Sequence, residues 1–380
     1  MKTKIQELFK KMYGDGASFF ASPGRVNLIG EHTDYNLGFV LPGAIDKAIY
    51  VGVKPNDGQK CRIHSVDYDQ SIEMDLHGEK PAQQWARYIY GVVQEMEKRG
   101  ALIRPFDMTF GGDVPLGAGL SSSAALESAV GFALNTVYNL GFSREQLAKI
   151  GQMTEHNYVG VRCGIMDQFA SLFGDHGKVI RLDCRSLEYK LEPFDPTGCK
   201  VVLFDTQVKH SLASSEYNVR RAQCEAGVAV ILKHVGGIES LRDVTLEMLN
   251  TYKNEMDDVV YRRCSFVINE NQRVLDACDA LEKGDYATFG EKMNGSHDGL
   301  SKWYEVSCEE LDFLNDCAKE YGVTGSRVMG GGFGGCTINL VKNELYDNFV
   351  EKTKEAFKAK FGRSPKVYDV VIGDGSRKVE

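Results

Sequence analysis

Gly117-Ala118-Gly119-Leu120-Ser121-Ser122-Ser123-Ala124-Ala125 constrains this chain more than any other segment, because it joins a turn of glycines to the start of a helix. Phe106 to Phe110 reads as a strand, and Asp113-Val114-Pro115-Leu116 leads into the glycines. Ala124 to Leu140 then carries apolar residues at helical spacing, with small residues such as Ala129, Gly131 and Ala133 that permit close packing. Glycines let the backbone turn tightly and approach an anion, and the free N–H groups of the next helix face it. Serines there are expected to supply caps and hydroxyls. A Ser beside a phosphate also reaches the Mg²⁺ that accompanies ATP, as in a P-loop, but the Gly-Lys-Ser/Thr of a P-loop is absent. Two readings stand at this point: a helix start that only packs, and an ATP site of a non-Walker type.

The chain of 380 residues is long enough for two domains, each with its own core. Its formal net charge of −8 argues against nucleic acid as a partner, since duplex binders present basic faces. The ten cysteines include no C-x-x-C pair, which argues against a zinc ribbon. The charged start Met1 to Lys10 has no apolar core, and no later segment is long and apolar enough to span a bilayer. A cytoplasmic protein with reduced thiols and no membrane partner is expected. The oligomeric state stays open, a monomer among the options.

Ser18 to Val53 alternates apolar runs with Gly and Pro, the pattern of short strands joined by turns, with the chemistry on the loops. Gln70 to Leu76 continues the strands, and Trp85 to Arg99 has helical spacing. A second helix is expected from Ser143 to Tyr158, with Ser143 as cap and Glu145 in the first turn. The charged stretch Asp183 to Pro196 suggests a boundary, giving domains 1–186 and 187–380. Beyond it come a strand at Val201 to Asp205, a helix at Glu216 to His234, and further helices to about residue 320. A glycine turn with a strand follows at Val328 to Val341, then a helix at Thr353 to Phe361 and a strand at Lys366 to Ile372.

Pro23 to Tyr35 concentrates Arg25, Glu31, His32 and Asp34 between apolar runs. Carboxylates near an imidazole can hold the vicinal hydroxyls of a sugar, because each accepts two or more O–H groups. A metal site is the second reading, weakened because adjacent side chains on an extended segment diverge. An ordinary surface ion pair between Arg25 and Asp34 is the third. Glu155 to Gln168 places one acid at a helix end and Asp167 beyond a glycine-containing loop, among Ile165, Met166 and Phe169. A half-buried carboxylate needs a cationic partner or a chemical task, and a structural cap is the plain alternative. Gly330 to Gly335 matches G-x-G-x-x-G, but the residues after it read as a strand, so a dinucleotide fold is not indicated. A turn that approaches a ligand or the other domain fits better.

Taken together, Gly24 to Tyr35, Pro115 to Ala124 and Gly330 to Gly335 resemble the three ordered motifs of the GHMP family of small-molecule kinases, and within it the galactokinases. Cys163 to Gln168, Asp183 to Leu187 and His210 to Tyr217 look like the same branch. The resemblance covers essentially the whole chain. It implies an α/β (α+β) fold of two domains with the active site in the cleft between them. It makes Asp167 the catalytic carboxylate beside the anomeric hydroxyl, and Arg25 the cation that orients it. Glu31, His32, Thr33, Asp34, Gly164 and Tyr217 would bind the sugar. Gly117, Ala118, Gly119, Leu120, Ser121, Ser122 and Ser123 would hold the ATP phosphates, with Ser123 and Glu155 as Mg²⁺ ligands. Trp85 would lie beside the adenine, or be ordinary core. The implied reaction moves the γ-phosphoryl group of ATP to O1 of α-D-galactose, with galactose and ATP as the small-molecule partners. A kinase for N-acetylgalactosamine and a non-catalytic galactose sensor are the alternatives. Whether Asp167 is a true base or an orienting group stays open.

Overall fold

The glycine-punctuated strands expected near the N-terminus form the frame on which the site is built. The computed structural model describes residues 1–208 and 213–380. Helix α1 (Lys2–Tyr13) precedes β1 (Ser18–Asn27), β2 (Phe39–Val40), β3 (Pro42–Pro55), β4 (Cys61–Ser65) and β5 (Gln70–Met74). Then come α2 (Gln84–Glu97), β6 (Phe106–Gly112), α3 (Ser122–Val137), α4 (Arg144–Thr154), α5 (Met166–Phe173), β7 (Lys178–Asp183) and β8 (Tyr189–Pro193). The second half runs β9 (Cys199–Asp205), α6 (Ala213–Leu232), α7 (Leu246–Thr251), α8 (Asp258–Glu282), α9 (Tyr286–Lys302) and α10 (Glu309–Glu320). It closes with β10 (Gly325–Val328), β11 (Cys336–Lys342), α11 (Asn343–Phe361), β12 (Lys366–Val370) and β13 (Arg377–Val379).

Six strands form the first sheet in the order β13-β1-β3-β6-β4-β5, and four form the second in the order β10-β11-β9-β12. Among the described residues only the β4–β6 pairing is parallel, so the arrangement is the α+β form of the expected class. Helices α3 and α5 pack on β1 and β3, which brings the N-termini of both helices to the end of β1. Phe20, Phe106 and Phe169 are fully enclosed between this sheet and its helices. Truncating such a residue to Ala costs about 3–5 kcal/mol.

The expected boundary at 186/187 falls in the turn joining β7 to β8, which pair with each other and, through β7, with β2. The last strand, β13, returns to pair with β1. Hydrogen bonds between distant segments therefore cross that boundary in both directions along the chain. Ser143 caps α4 through a full capping box with Gln146, as its position before an apolar helical run suggests. After Thr154 the helix widens into a π turn over Glu155–Val159, a feature common at functional sites. All ten cysteines are free, and no helix among the described residues is long and apolar enough to cross a membrane.

Candidate active site

Arg25 stands on β1, not on a loop, at a point where the pairing with β3 shifts register between Pro23 and Arg25. Such an irregularity re-aims a side chain. Arg25 is 4% exposed, and its Nε and one terminal nitrogen donate to the two oxygens of Asp167 at 2.7 and 2.8 Å. Its other terminal nitrogen donates to the Gly119 carbonyl at 2.6 Å, while its backbone N–H donates to the Leu120 carbonyl at 3.1 Å. A single residue thus joins the first strand, the glycine loop and the start of α5. Burial works against the Arg25 charge, yet Asp167, Glu31 and Asp34 hold its pKa above the ordinary value. The surface pairing of Arg25 with Asp34 is replaced by a buried, bidentate pair with Asp167, the stronger geometry.

The glycine loop meets this pair from the other side. Gly119 adopts φ 77°, a conformation open to glycine, and so turns its carbonyl toward Arg25. Ser121 lies at the N-cap of α3 with φ 57°, but its hydroxyl does not cap the helix. It donates instead to Asp167, which corrects the expectation of serine caps. The first N–H groups of α3 are consequently left without a side-chain cap, as an anion site requires. Ser123, on the first turn, is a hydrogen-bond partner of Glu155. Burial pushes the Glu155 carboxyl up to about 7, and it pushes the adjacent Glu127 well above the carboxylate range.

The loop after β1 folds its acids inward. Glu31 accepts from the Gly330 N–H at 2.8 Å and pairs with the fully buried Arg327 at 3.0 Å, both through Oε1. Asp34 accepts from the Tyr35 N–H at 2.9 Å, and its carboxylate lies so close to Gly164 that an added Cβ would sit 2.0 Å from it. Only glycine fits at 164. Burial, with the Asp167 charge next, pushes Asp34 up to about 7. Burial also lowers His32 to about 3, which keeps the imidazole neutral. Its Nε2 lies 3.3 Å from the Gly331 carbonyl and its Nδ1 lies 2.8 Å from the Tyr35 hydroxyl, which is 2.6 Å from that of Tyr304. The Gly331 carbonyl can only accept, so Nε2 carries the proton, Nδ1 accepts from Tyr35, and Tyr35 accepts from Tyr304. With both nitrogens spent inside the protein, the metal reading of Glu31, His32 and Asp34 fails.

These groups enclose a cavity of ≈ 320 Å³, within the range of small-molecule sites. Arg25, Glu31, His32, Asp34, Ser123, Glu155, Gly164, Asp167 and Tyr217 all line it, as expected for a single site. The expected phosphate-loop residues Gly117, Ala118, Gly119, Leu120, Ser121 and Ser122 border the Arg25–Asp167 pair without lining the cavity, and Thr33 and Trp85 do not line it either. Thr33 is fully buried, and its hydroxyl faces the Gly30 and Phe39 carbonyls at 2.8 and 2.6 Å, so it secures the turn. Trp85 is core: it packs on Phe110, and its indole N–H donates to Gln70 at 3.1 Å. Tyr88, one turn further along α2, lines the cavity in its place. Cys163 and Phe333 lie inside segments the sequence singled out but were not named as site residues, and Tyr88 was missed because only its helical offset from Trp85 points to it. The sequence resemblance at His210 to Tyr217 falls partly outside the described residues, and Tyr217 lies within them, its ring 5.1 Å from that of His32.

Three family descriptions match in chain order: "Galactokinase galactose-binding signature" over residues 7–55, "GHMP kinases N terminal domain" over 87–175, and "GHMP kinases C terminal" over 277–359. A galactokinase of Chloroflexus aggregans is 43% identical over 95% of this chain and 93% of its own. The chain belongs to the galactokinase family. A second galactokinase, from Clostridium beijerinckii, is 41% identical over 100% of this chain and 98% of its own. The solved galactokinase of Lactococcus lactis, complexed with galactose, superposes with a TM-score of 0.95 at 34% identity, covering 99% of each chain. A mevalonate kinase superposes with a TM-score of 0.64 at 17% identity over 94% of this chain and 99% of its own, a likeness of fold alone. The galactokinase and GHMP kinase matches include the strand with Arg25, the loop with Gly119 and the helix with Asp167.

Proposed function

We propose that this protein transfers the γ-phosphoryl group of ATP to O1 of α-D-galactose, yielding α-D-galactose 1-phosphate and ADP. The observation that carries the reading is the Arg25–Asp167 pair, hydrogen-bonded at once to the glycine loop and open to the cavity that holds Glu31 and Asp34. Asp167 is 30% exposed there, and its two oxygens already accept two N–H groups of Arg25 and the hydroxyl of Ser121. A carboxylate has about four acceptor positions, so one remains for the sugar O1–H. The γ-phosphorus loses its bond to the β–γ bridging oxygen and gains one to O1, whose proton passes to Asp167. Transfers of this kind depend mainly on positioning and on stabilising charge, which Arg25 and the uncapped start of α3 supply. Glu31 offers its second oxygen, and Asp34 its carboxylate, to the sugar hydroxyls. Gly164 leaves the room that Asp34 needs, while His32 and Tyr217 form an aromatic wall.

Mg²⁺ suits the paired oxygen donors Ser123 and Glu155. Glu155 is a buried carboxylate with no ion pair to a basic side chain among the described residues, and Mg²⁺ is commonly held by one or two protein oxygens together with phosphates and water. No cluster of three His, Cys, Asp or Glu among the described residues forms a protein-only metal cage. When bound, the ion neutralises phosphate charge; Ser123 and Glu155 fix where that charge is met.

The test is ADP release from Mg-ATP with galactose, N-acetylgalactosamine, glucose or no sugar. Turnover on galactose well above the other three is expected. Galactose binding without turnover would favour a sensor, and turnover on N-acetylgalactosamine alone would assign the chain to that sugar.

A further inference from the structure

A second cavity, of ≈ 500 Å³, lies among α7, α8 and α9 and shares no lining residue with the first. One acid lines it, Asp298, which pairs with Lys302 at 3.2 Å and with Lys319 at 3.4 Å. Arg273 and Lys302 are cationic, Trp303 and Tyr261 are aromatic, and Ser265 and Asn269 are neutral hydrogen-bonding groups. Arg273 runs over Gly295 and Gly299, where an added Cβ at 299 would lie 3.1 Å from its guanidinium and 2.7 Å from Phe266. Its Nε donates to Glu270 at 2.7 Å, and its two outer nitrogens make no hydrogen bond to a described residue. Trp303 is a large indole left 46% exposed in a cleft. The Ser265 hydroxyl is buried there with no hydrogen-bond partner among the described residues, although buried hydroxyls are ordinarily satisfied.

We propose that this cavity binds a small phosphorylated sugar and that its occupancy reaches the galactose loop through Arg273, Glu270 and Gly30. A guanidinium with two free donors, beside an ammonium, matches a phosphate. Indole and phenol faces accept the apolar face of a pyranose, and Ser265 and Asn269 meet its hydroxyls. A neutral sugar would leave the two outer nitrogens of Arg273 without an acceptor, and a bare anion would leave the aromatic faces and Ser265 unused. The connection to the first site is direct. Glu270 is fully buried, takes Arg273 on one oxygen and accepts from the Gly30 N–H at 3.1 Å on the other. Gly30 precedes Glu31. Val274, on the same helix as Arg273, lies so near that a Cβ at Gly30 would come within 2.8 Å of it.

The protein contains two tryptophans, so Trp85→Phe leaves Trp303 as the sole indole emitter. In that background glucose 6-phosphate should give a saturable change in emission, while glucose and inorganic phosphate bind far more weakly. Lys302→Gln and Arg273→Gln should each weaken glucose 6-phosphate by about tenfold, the worth of one charge-assisted contact. Arg273→Gln strips Glu270 of its counter-charge, so the exposed Lys302 carries the test if that variant fails to fold. No saturable change, equal response to inorganic phosphate, or unchanged affinity in both variants would overturn the site. Glucose 6-phosphate should also shift the calorimetric Kd for galactose, and galactose should shift that for glucose 6-phosphate by the same factor. Equal galactose affinity with and without it overturns the relay. These are binding measurements, so their failure is separable from failure of the kinase reading.

Discussion

Two glycine-rich segments meet at the site, and they behave differently because one opens a helix and the other joins two strands. Gly117 to Ser123 runs into α3, so its turn ends in a row of uncapped N–H groups and a positive helix end. Gly330 to Gly335 joins β10 to β11 in an antiparallel hairpin, so its turn ends in a strand whose polar groups are already paired. The first segment is left with donors for an anion. The second spends its groups on the protein: Gly330 donates to Glu31, the Gly331 carbonyl faces His32, and the backbone of Gly330 packs against Gly119. Composition alone does not separate a phosphate cradle from a wall; the next element does.

The comparison breaks most visibly at the group both segments serve. Asp167→Asn should lower kcat by roughly 10²–10⁴-fold while galactose still binds, since the charge goes and the shape stays. Steady-state kinetics beside calorimetric galactose titration checks this, and near-normal kcat would remove Asp167 from the chemistry. Next in size, the two segments should separate by substrate. Gly119→Ala places a side chain at φ 77°, at a cost of roughly 1–2 kcal/mol, and should raise the KM for ATP about tenfold with a smaller effect on galactose. Gly332→Ala, where a Cβ would stand 2.2 Å from the Val306 carbonyl, should raise the KM for galactose more than that for ATP. Equal effects on both substrates from both variants would erase the distinction.

A third prediction concerns pH. Asp34 and Glu155, with ordinary values of 3.8 and 4.5, are each pushed up to about 7, so the folded protein binds their protons more tightly than the unfolded chain. The stability they contribute is therefore fully present below those ordinary values and is lost as pH rises through about 7. The Tm without ligands should fall across that window, and Glu155→Gln should flatten the fall. Adding Mg-ATP should restore Tm at the upper end, because a cation at Glu155 favours the charged carboxylate. A flat Tm profile in the unmodified protein would contradict the burial of the two groups. The smallest effect is expected at Trp85. Trp85→Phe should leave the KM for ATP unchanged and cost about 1 kcal/mol, the net worth of its hydrogen bond to Gln70. A rise in that KM of tenfold would return Trp85 to the adenine.

Much of the frame was legible because it is local. The cap at Ser143, the helical period after Ser123 and the strand after Gly335 each depend on neighbours within a few residues, where propensity and pattern act. β13 was not legible, since its pairing depends on β1 far away in sequence, and the β7–β8 hairpin was hidden by the charged, Pro-bearing stretch Asp183 to Pro196, which reads as a boundary. At the site, the acidic and basic residues stood out as costly to place among apolar neighbours. Thr33 and Trp85 looked equally suited, and the sequence holds no sign that one hydroxyl is consumed by two carbonyls and one indole by Gln70.

Local pattern carries the types of most elements, the anion-ready order of strand, glycines and helix, and the set of charged groups that had to be used. Their partners come from the fold. Arg25 and Asp167 lie 142 residues apart, and Glu31 and Gly330 lie 299 apart. Such pairs form only when the packing of α3 and α5 on β1, and of the second half on the first, brings them within reach. The physical reason is range: backbone propensity acts over a turn or two, whereas desolvation and charge pairing act on whatever the fold places within a few ångströms.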